Sequence, residues 1–196
     1  MTGILIPEGV THIATDAFCK CWNITSISLP ESLEGLSKQA FEYMNLQSIS
    51  LPCNVKTIPM YAFYECTNLQ TVYGLSHVET IGHAAFTSAR GTLTGELILT
   101  NIISVEQSAF SGNDGITNVV IGENIQIIGE SAFAHVGCNS ITILATNVPE
   151  VGRDAFNSSY LSTIYVPDES VETYKTAEGW SDYADLIKPL SEKPAE

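Results

Sequence analysis

Five cysteines and four histidines are the side chains best suited to hold a metal or to attack a substrate, and their spacing supports neither chemistry. Tetrahedral zinc needs four sulfur or nitrogen donors, usually supplied as closely spaced pairs. Cys19 and Cys21 are separated by one residue, but no CxxC pair or neighbouring histidine completes a set, and Cys53, Cys66 and Cys138 are isolated. The odd count leaves at least one thiol unpaired. Cys21 and Cys66 read as small core residues, the usual place for a free cysteine. His12, His77, His83 and His135 are scattered, so nothing predicts a nucleophile, a base and an orienting group within hydrogen-bond reach. Gly112, Asn113, Asp114 and Gly115 read as a turn rather than a phosphate cradle. Asp168 and Glu169 have the chemistry of a cation site, but helix capping accounts for them more simply. The chain is therefore expected to be no enzyme, with no metal and no cofactor.

Charge narrows the partners. Eight Lys and Arg against 22 Asp and Glu give a formal charge of -14. That surplus repels a phosphate backbone, which excludes nucleic acid, and equally disfavours an anionic membrane surface. No apolar run approaches the ~20 residues that would span a bilayer. With 196 residues and 44% hydrophobic content, a continuous core is within reach. There is no basic start followed by an apolar stretch; the chain opens on the strand-like Ile4, Leu5, Ile6, Pro7, as expected downstream of a removed leader or an earlier segment.

The elements that position these residues are set by a repeat. All seven phenylalanines follow an alanine, at Phe18, Phe41, Phe63, Phe86, Phe110, Phe133 and Phe156, spaced by 23, 22, 23, 24, 23 and 23 residues. A period in the low twenties is the mark of a leucine-rich solenoid. Five residues before each Phe stands Ile13, Leu36, Ile58, Ile81, Val105, Ile128 or Val151, and eight before it Val10, Leu33, Val55, Val78, Ile102, Ile125 or Val148. Columns with no polar member are buried only if the turns stack. Between them an LxxLxL pattern, as in Leu46, Ile49, Leu51 and Leu161, Ile164, Val166, predicts one short parallel strand per turn, closed by Pro7, Pro30, Pro52 or Pro167. Two turns break the pattern, at Gly74-Leu75 and at Gly91 to Leu99, where a bulge or loop is expected. The predicted fold is thus a leucine-rich-repeat solenoid of the α/β horseshoe class, β-dominated with little helix. About seven turns occupy residues 1–167, a helical cap 168–190, and a flexible tail 191–196. In the cap, a helix starting near Asp168 and stopping near Gly179 would be followed by Trp180, Tyr183, Leu186 and Ile187 at helical spacing.

The string Asn45, Leu46, Gln47, Ser48, Ile49, Ser50, Leu51, Pro52, followed by Val55, Lys56, Thr57, Ile58 and by Ala62, Phe63, Tyr64, Glu65, Cys66, Thr67, Asn68, Leu69, resembles the BspA-like leucine-rich repeats, also called the Treponema pallidum type. Its most specific parts are Ala-Phe-x-x-Cys and the Leu-Pro strand end, and it covers Ile4 to Pro167. The stretch from Tyr165 to Leu190, with Tyr174, Lys175, Gly179, Trp180, Tyr183, Ile187, Lys188 and Pro189, is similar to the closing segment of such proteins from gut Bacteroidales. The resemblance implies a secreted or lipid-anchored bacterial surface protein, in a group that includes adhesins for host matrix proteins and for other bacteria. It supplies no catalytic residue.

Function is expected on the open strand face, where every turn contributes outward positions. These are Ser26, Ser28, Ser48, Ser50, Thr71, Tyr73, Asn118, Val120, Thr163 and Tyr165. Hydroxyl ladders of this kind suit any solvated sheet. The sharper expectation places a ligand on Ser28, Ser50, Tyr73, Val120 and Tyr165, with the tyrosines as anchors offering large contact area at low entropic cost. The partner is expected to be a protein, bound by a monomer. A carbohydrate stacked on Tyr73, Tyr165 or Trp22, or a spacer role for another domain, are the alternatives.

Overall fold

The computed structural model describes residues 2–88, 93–158 and 160–194. Stacked turns each contribute a strand to one face: Gly3–Leu5, Ser26–Ser28, Ser48–Ser50, Thr71–Tyr73, Gly95–Leu99, Ile116–Ile121, Ser140–Ile143 and Thr163–Val166. All pairs are parallel. The alternation of these segments turns Ile27, Ile49, Leu97, Val119, Ile141 and Ile164 into the core and the residues beside them outward. Each turn also carries a two-residue strand absent from the sequence reading, at His12–Ile13, Gly35–Leu36, Thr57–Ile58, Thr80–Ile81, Ser104–Val105, Ile127–Ile128 and Glu150–Val151. It falls on the apolar column five residues before each Phe, whose members point inward and fix the pairing register.

The third side of each turn explains the Ala-Phe pair. The Phe amide donates to the carbonyl of the next turn's alanine, from Phe18 to Ala40 at 2.9 Å, Phe41 to Ala62 at 2.9 Å, Phe63 to Ala85 at 2.8 Å and onward to Phe133 and Ala155 at 2.8 Å. Residues two before Phe and two after it make equivalent bonds to the following turn, while those between bond three residues back within their own turn, as Ala17 to Ala14 and Cys19 to Asp16. Alternation of this kind requires peptides that point alternately along and across the axis. A left-handed residue supplies it: Asp16, Gln39, Tyr61, Ala84, Ser108, Ser131 and Asp154, each two before Phe, all have φ between 50 and 60°. Such a conformation costs an L-residue of the order of 1–2 kcal/mol, and the inter-turn bond it makes possible holds it in place.

The seven rings form one column. Successive centroids stand 5.7, 5.1, 5.1, 5.3, 5.5 and 5.8 Å apart with interplanar angles of at most 20°. The alanine before each ring is wholly enclosed from Ala40 to Ala155, where a small side chain suits a fully buried position.

The irregular turns are resolved locally. Gly74 takes φ 87° and leads into a 3-10 turn at Leu75–His77. The alternation slip is absorbed where Ile116 pairs with Gly95 but Asn118 pairs with Glu96, so Thr117 is the extra residue of a bulge. Gly91 and Thr92 lie outside the described residues. The turns approach closely just after this bulged strand: a Cβ on Gly122 would sit 1.9 Å from the Thr100 carbonyl oxygen. Gly122→Ala is therefore expected to cost ~1–3 kcal/mol through forced backbone displacement, read as a lower urea midpoint; an unchanged midpoint would contradict this packing.

At the C-terminal end, a 3-10 turn at Asp168–Ser170 leads into the helix α1 at Val171–Thr176. The helix stops before Gly179, which opens a further 3-10 segment at Trp180–Leu186 with φ 75°. Ile187 departs from the helical spacing expected of it: Ile187–Pro189 is a strand paired with Ile164 to Val166, because the last sheet edge offers unpaired backbone groups that a helix would leave unmet. Trp180 continues the ring column at 5.6 Å from Phe156, tilted by 41°. The Tyr183 hydroxyl accepts the Phe156 amide at 3.4 Å, in the role that alanine carbonyls play elsewhere. Trp180 Nε1 donates to the Pro149 carbonyl at 2.7 Å and the Tyr174 hydroxyl to that of Ala145 at 2.9 Å, so both buried polar tips are satisfied. Leu190–Glu192 forms a last 3-10 turn, fastened by the Ser191 amide to the Asp168 carboxylate at 3.0 Å. Residues 195 and 196 of the expected tail lie outside the described residues.

Candidate binding surface

On the strand face, Ser28 pairs alongside Leu5, Ser50 alongside Tyr73, Ile98 alongside Val120, and Thr142 between Val120 and Tyr165. This ladder brings the expected site residues onto one face but not into one environment. Ser28 and Ser50 are exposed, Tyr73 is 58% exposed and Val120 is partly covered. Tyr165 is only 8% exposed, which corrects its expected role as an outward anchor. It is flanked by Thr142 on one strand and by Lys188 on the strand contributed by the C-terminal segment, and Lys193 and Pro194 line the same depression. Thr163, also expected outward, is buried with it. The open part of the face therefore belongs to the first six turns, with Ile98 an apolar member that sequence reasoning did not single out.

The thiols are placed by packing. Cys66 donates to the Phe41 carbonyl at 3.0 Å, and burial pushes its pKa up to about 12. Burial raises Cys138 to about 11. Cys21 is partly buried and Cys53 exposed. Because Cys66 and Cys138 titrate near 9.0 when unfolded, the unfolded chain loses those protons first. Stability is thus full below pH 9 and falls as the pH rises towards 11 to 12. Urea midpoints at pH 7, 9 and 10.5 should decline at the last value, and a thiol reagent at neutral pH should label Cys53 while leaving Cys66 and Cys138 unmodified. Labelling of those two in the folded protein would contradict their burial.

Cys19 does not pair with Cys21. Its thiol donates to Glu42 Oε2 at 3.4 Å, and Gln39 Nε2 donates to the same oxygen at 2.8 Å. Burial, then the Glu42 hydrogen bond, raises the Cys19 pKa. The ligand atoms of Asp16, Cys19 and Glu42 lie within 4.8 Å of one another, with Cys19 and Glu42 joined by the thiol–carboxylate hydrogen bond. The histidines are dispersed: His77 Nε2 contacts the Pro52 carbonyl at 2.9 Å, His83 Nε2 the Tyr61 hydroxyl at 3.1 Å, and His12 Nδ1 the Thr11 hydroxyl at 3.1 Å.

A second surface, on the Ala-Phe side, is largely invisible in the sequence. Tyr43, Tyr64, Tyr61 and His83 form a continuous edge-to-face ridge over three turns, with centroids 5.7, 5.2 and 5.1 Å apart. Lys20 Nζ stands 5.8 Å from the Tyr43 ring centre. The signal lies in the offsets: these tyrosines sit one or two positions from a spine phenylalanine. Their meeting depends on neighbouring turns, so no single repeat displays it.

No described helix is long and apolar enough to cross a membrane. The chain matches the family described as BspA type leucine rich repeat region, in six copies over residues 1–116 and 92–177. Among solved structures it is similar to a leucine rich cell surface protein from Faecalibacterium prausnitzii, at 19% identity and a TM-score of 0.49, over 97% of this chain and 60% of that one. It is also similar to a leucine-rich repeat protein from Bacteroides ovatus, at 22% identity and a TM-score of 0.47, over 96% of this chain and 66% of that one. The chain thus spans less than two thirds of either protein's length. No curated protein matches it. The Ala-Phe ladder, the parallel strands and the match over nearly the whole array agree, and the chain belongs to the BspA-type leucine-rich-repeat family.

Proposed function

We propose that this chain is a non-catalytic recognition module, displayed on or shed from a bacterial cell, that binds a protein ligand as a monomer through the open part of its strand face. The observation that carries the reading is Tyr73: a large ring 58% exposed on a rigid ladder, among small hydroxyl side chains that leave a partner room to approach. A solenoid concentrates contact on such a face because every turn adds to it at fixed spacing. The match to a leucine-rich-repeat family, together with turns held by backbone ladders, supports a scaffold for recognition over a reaction centre. The acidic surplus selects a partner presenting a neutral or basic patch.

The test is binding of the purified chain to immobilised host matrix proteins and to surface proteins of other bacteria. Binding should survive competition by free sugars and weaken at least about tenfold in Tyr73→Ala, as for an interface anchor. Retention of full binding in Tyr73→Ala and in Ser28→Arg with Ser50→Arg would refute the strand face as the contact surface.

A further inference from the structure

The two tryptophans occupy opposite environments. Trp180 is fully enclosed in the C-terminal segment, whereas Trp22 is 63% exposed. Trp22 walls a shallow depression of about 290 Å³ that it shares with Tyr43, Met44, Asn45, Glu65 and Thr67. Met44 is buried and supplies an apolar floor. The walls thus combine two flat aromatic surfaces with an amide, a hydroxyl and a carboxylate. The Asn68 side-chain amide donates to Asn45 Oδ1 from the next turn, which fixes the orientation of the Asn45 amide at the wall.

We propose that the Trp22–Tyr43 depression binds a neutral linear oligosaccharide lying along the solenoid axis. A pyranose ring has an apolar C–H face and a periphery of hydroxyls, and the depression offers the complement of both: rings to stack on, and donors and acceptors at the rim. Its surroundings select against anionic sugars, because the lining carboxylate together with Glu42 and Asp16 beyond it outnumbers the one nearby cation, Lys20 over the Tyr43 ring, and the chain carries a charge of -14. The axial direction follows from the lining, which takes Trp22, then Tyr43, Met44 and Asn45, then Glu65 and Thr67 from three successive turns. Tyr64 adds an aromatic edge in the next turn, its ring 5.7 Å from that of Tyr43. A protein partner would instead need a broader surface than this shallow feature provides. The site lies on the Ala-Phe side, so it does not depend on the strand-face reading.

Trp22 is also its own reporter, since the other tryptophan is shielded from solvent. Tryptophan emission should be followed while the intact chain is titrated separately with cellohexaose, xylohexaose, mannohexaose and maltohexaose, and with a hexamer of galacturonic acid as the anionic control. At least one neutral hexasaccharide should give a saturable blue shift, and the galacturonate hexamer none. By calorimetry, Trp22→Ala and Tyr43→Ala should each weaken that sugar roughly tenfold, as for a lost aromatic contact, with circular dichroism confirming the fold. Tyr73→Ala should bind the sugar normally, which separates this site from the protein-binding face. The proposal is overturned if none of the four neutral sugars shifts the emission, if the galacturonate hexamer binds as well, or if Trp22→Ala binds the sugar as the parent chain does. Loss of protein binding in Trp22→Ala without any sugar binding would reassign the depression to a protein contact.

Discussion

Phe63→Ala is expected to lower the unfolding free energy by ~3–5 kcal/mol, the range for removing a buried aromatic ring. Phe63 is 1% exposed and stacked on Phe41 and Phe86, each 5.1 Å away, so truncation removes contacts on both faces at once. The cavity cannot close readily. The turns on either side are held at fixed separation by the Phe63 to Ala85 and Phe41 to Ala62 backbone bonds, which the substitution leaves in place. Phe18 has a neighbouring ring on one side only and is partly exposed, so Phe18→Ala should cost clearly less. Urea unfolding of the two variants measures the difference. Equal losses would mean that the column does not bear stability as a stack.

Asn113→Leu should be comparably damaging for a different reason. The Asn113 side chain is fully enclosed and makes three bonds to backbone: Nδ2 donates to the Phe86 carbonyl at 2.8 Å and to the Phe110 carbonyl at 2.9 Å, while Oδ1 accepts the Leu93 amide at 3.1 Å. Each buried backbone group left without a partner costs about 1–3 kcal/mol, so the loss is of the order of 3 kcal/mol or more. Asn113→Asp is the sharper experiment. It keeps shape and volume but replaces a donor facing two carbonyls with an ionised acceptor, and should destabilise at neutral pH and recover partly in acid. A variant indistinguishable from the parent at pH 7 would contradict the assigned amide orientation.

These two residues also mark what the sequence discloses. The phenylalanine column is legible because one residue type recurs at nearly constant spacing, and a column with no polar member escapes water only when the turns stack. Asn113 is not legible: it stands between Gly112 and Asp114 in a composition that reads as a turn, and its bonds reach residues up to 27 positions away. The left-handed positions two before each Phe are hidden for a similar reason. They hold Asp, Gln, Tyr, Ala or Ser, never glycine, so composition signals nothing, and the conformation is imposed by the turn that follows. On the strand face, Ser28, Ser50 and Tyr73 lie outward as alternation requires, yet the same alternation misplaces Tyr165, because its cover comes from the C-terminal segment. Alternation assigns a side of the sheet; it does not say what else lies there.

The Ala-Phe ladder has an electrical consequence. Every one of its bonds runs from an amide of one turn to a carbonyl of the following turn, from Phe18 through Phe133. Peptide dipoles aligned this way add within the ladder, but the amides on the short-strand side run the other way, from Gly35 to Thr11, Gly82 to Ile58 and Gly152 to Ile128, so the two sides of the solenoid oppose one another. At the carboxyl end the acidic Glu150, Asp154, Glu178 and Asp182 line a cavity with Arg153, whose guanidinium pairs with Asp154 at 3.7 Å. Two sides of the solenoid thus carry opposed rows of peptide dipoles, where a helix carries one.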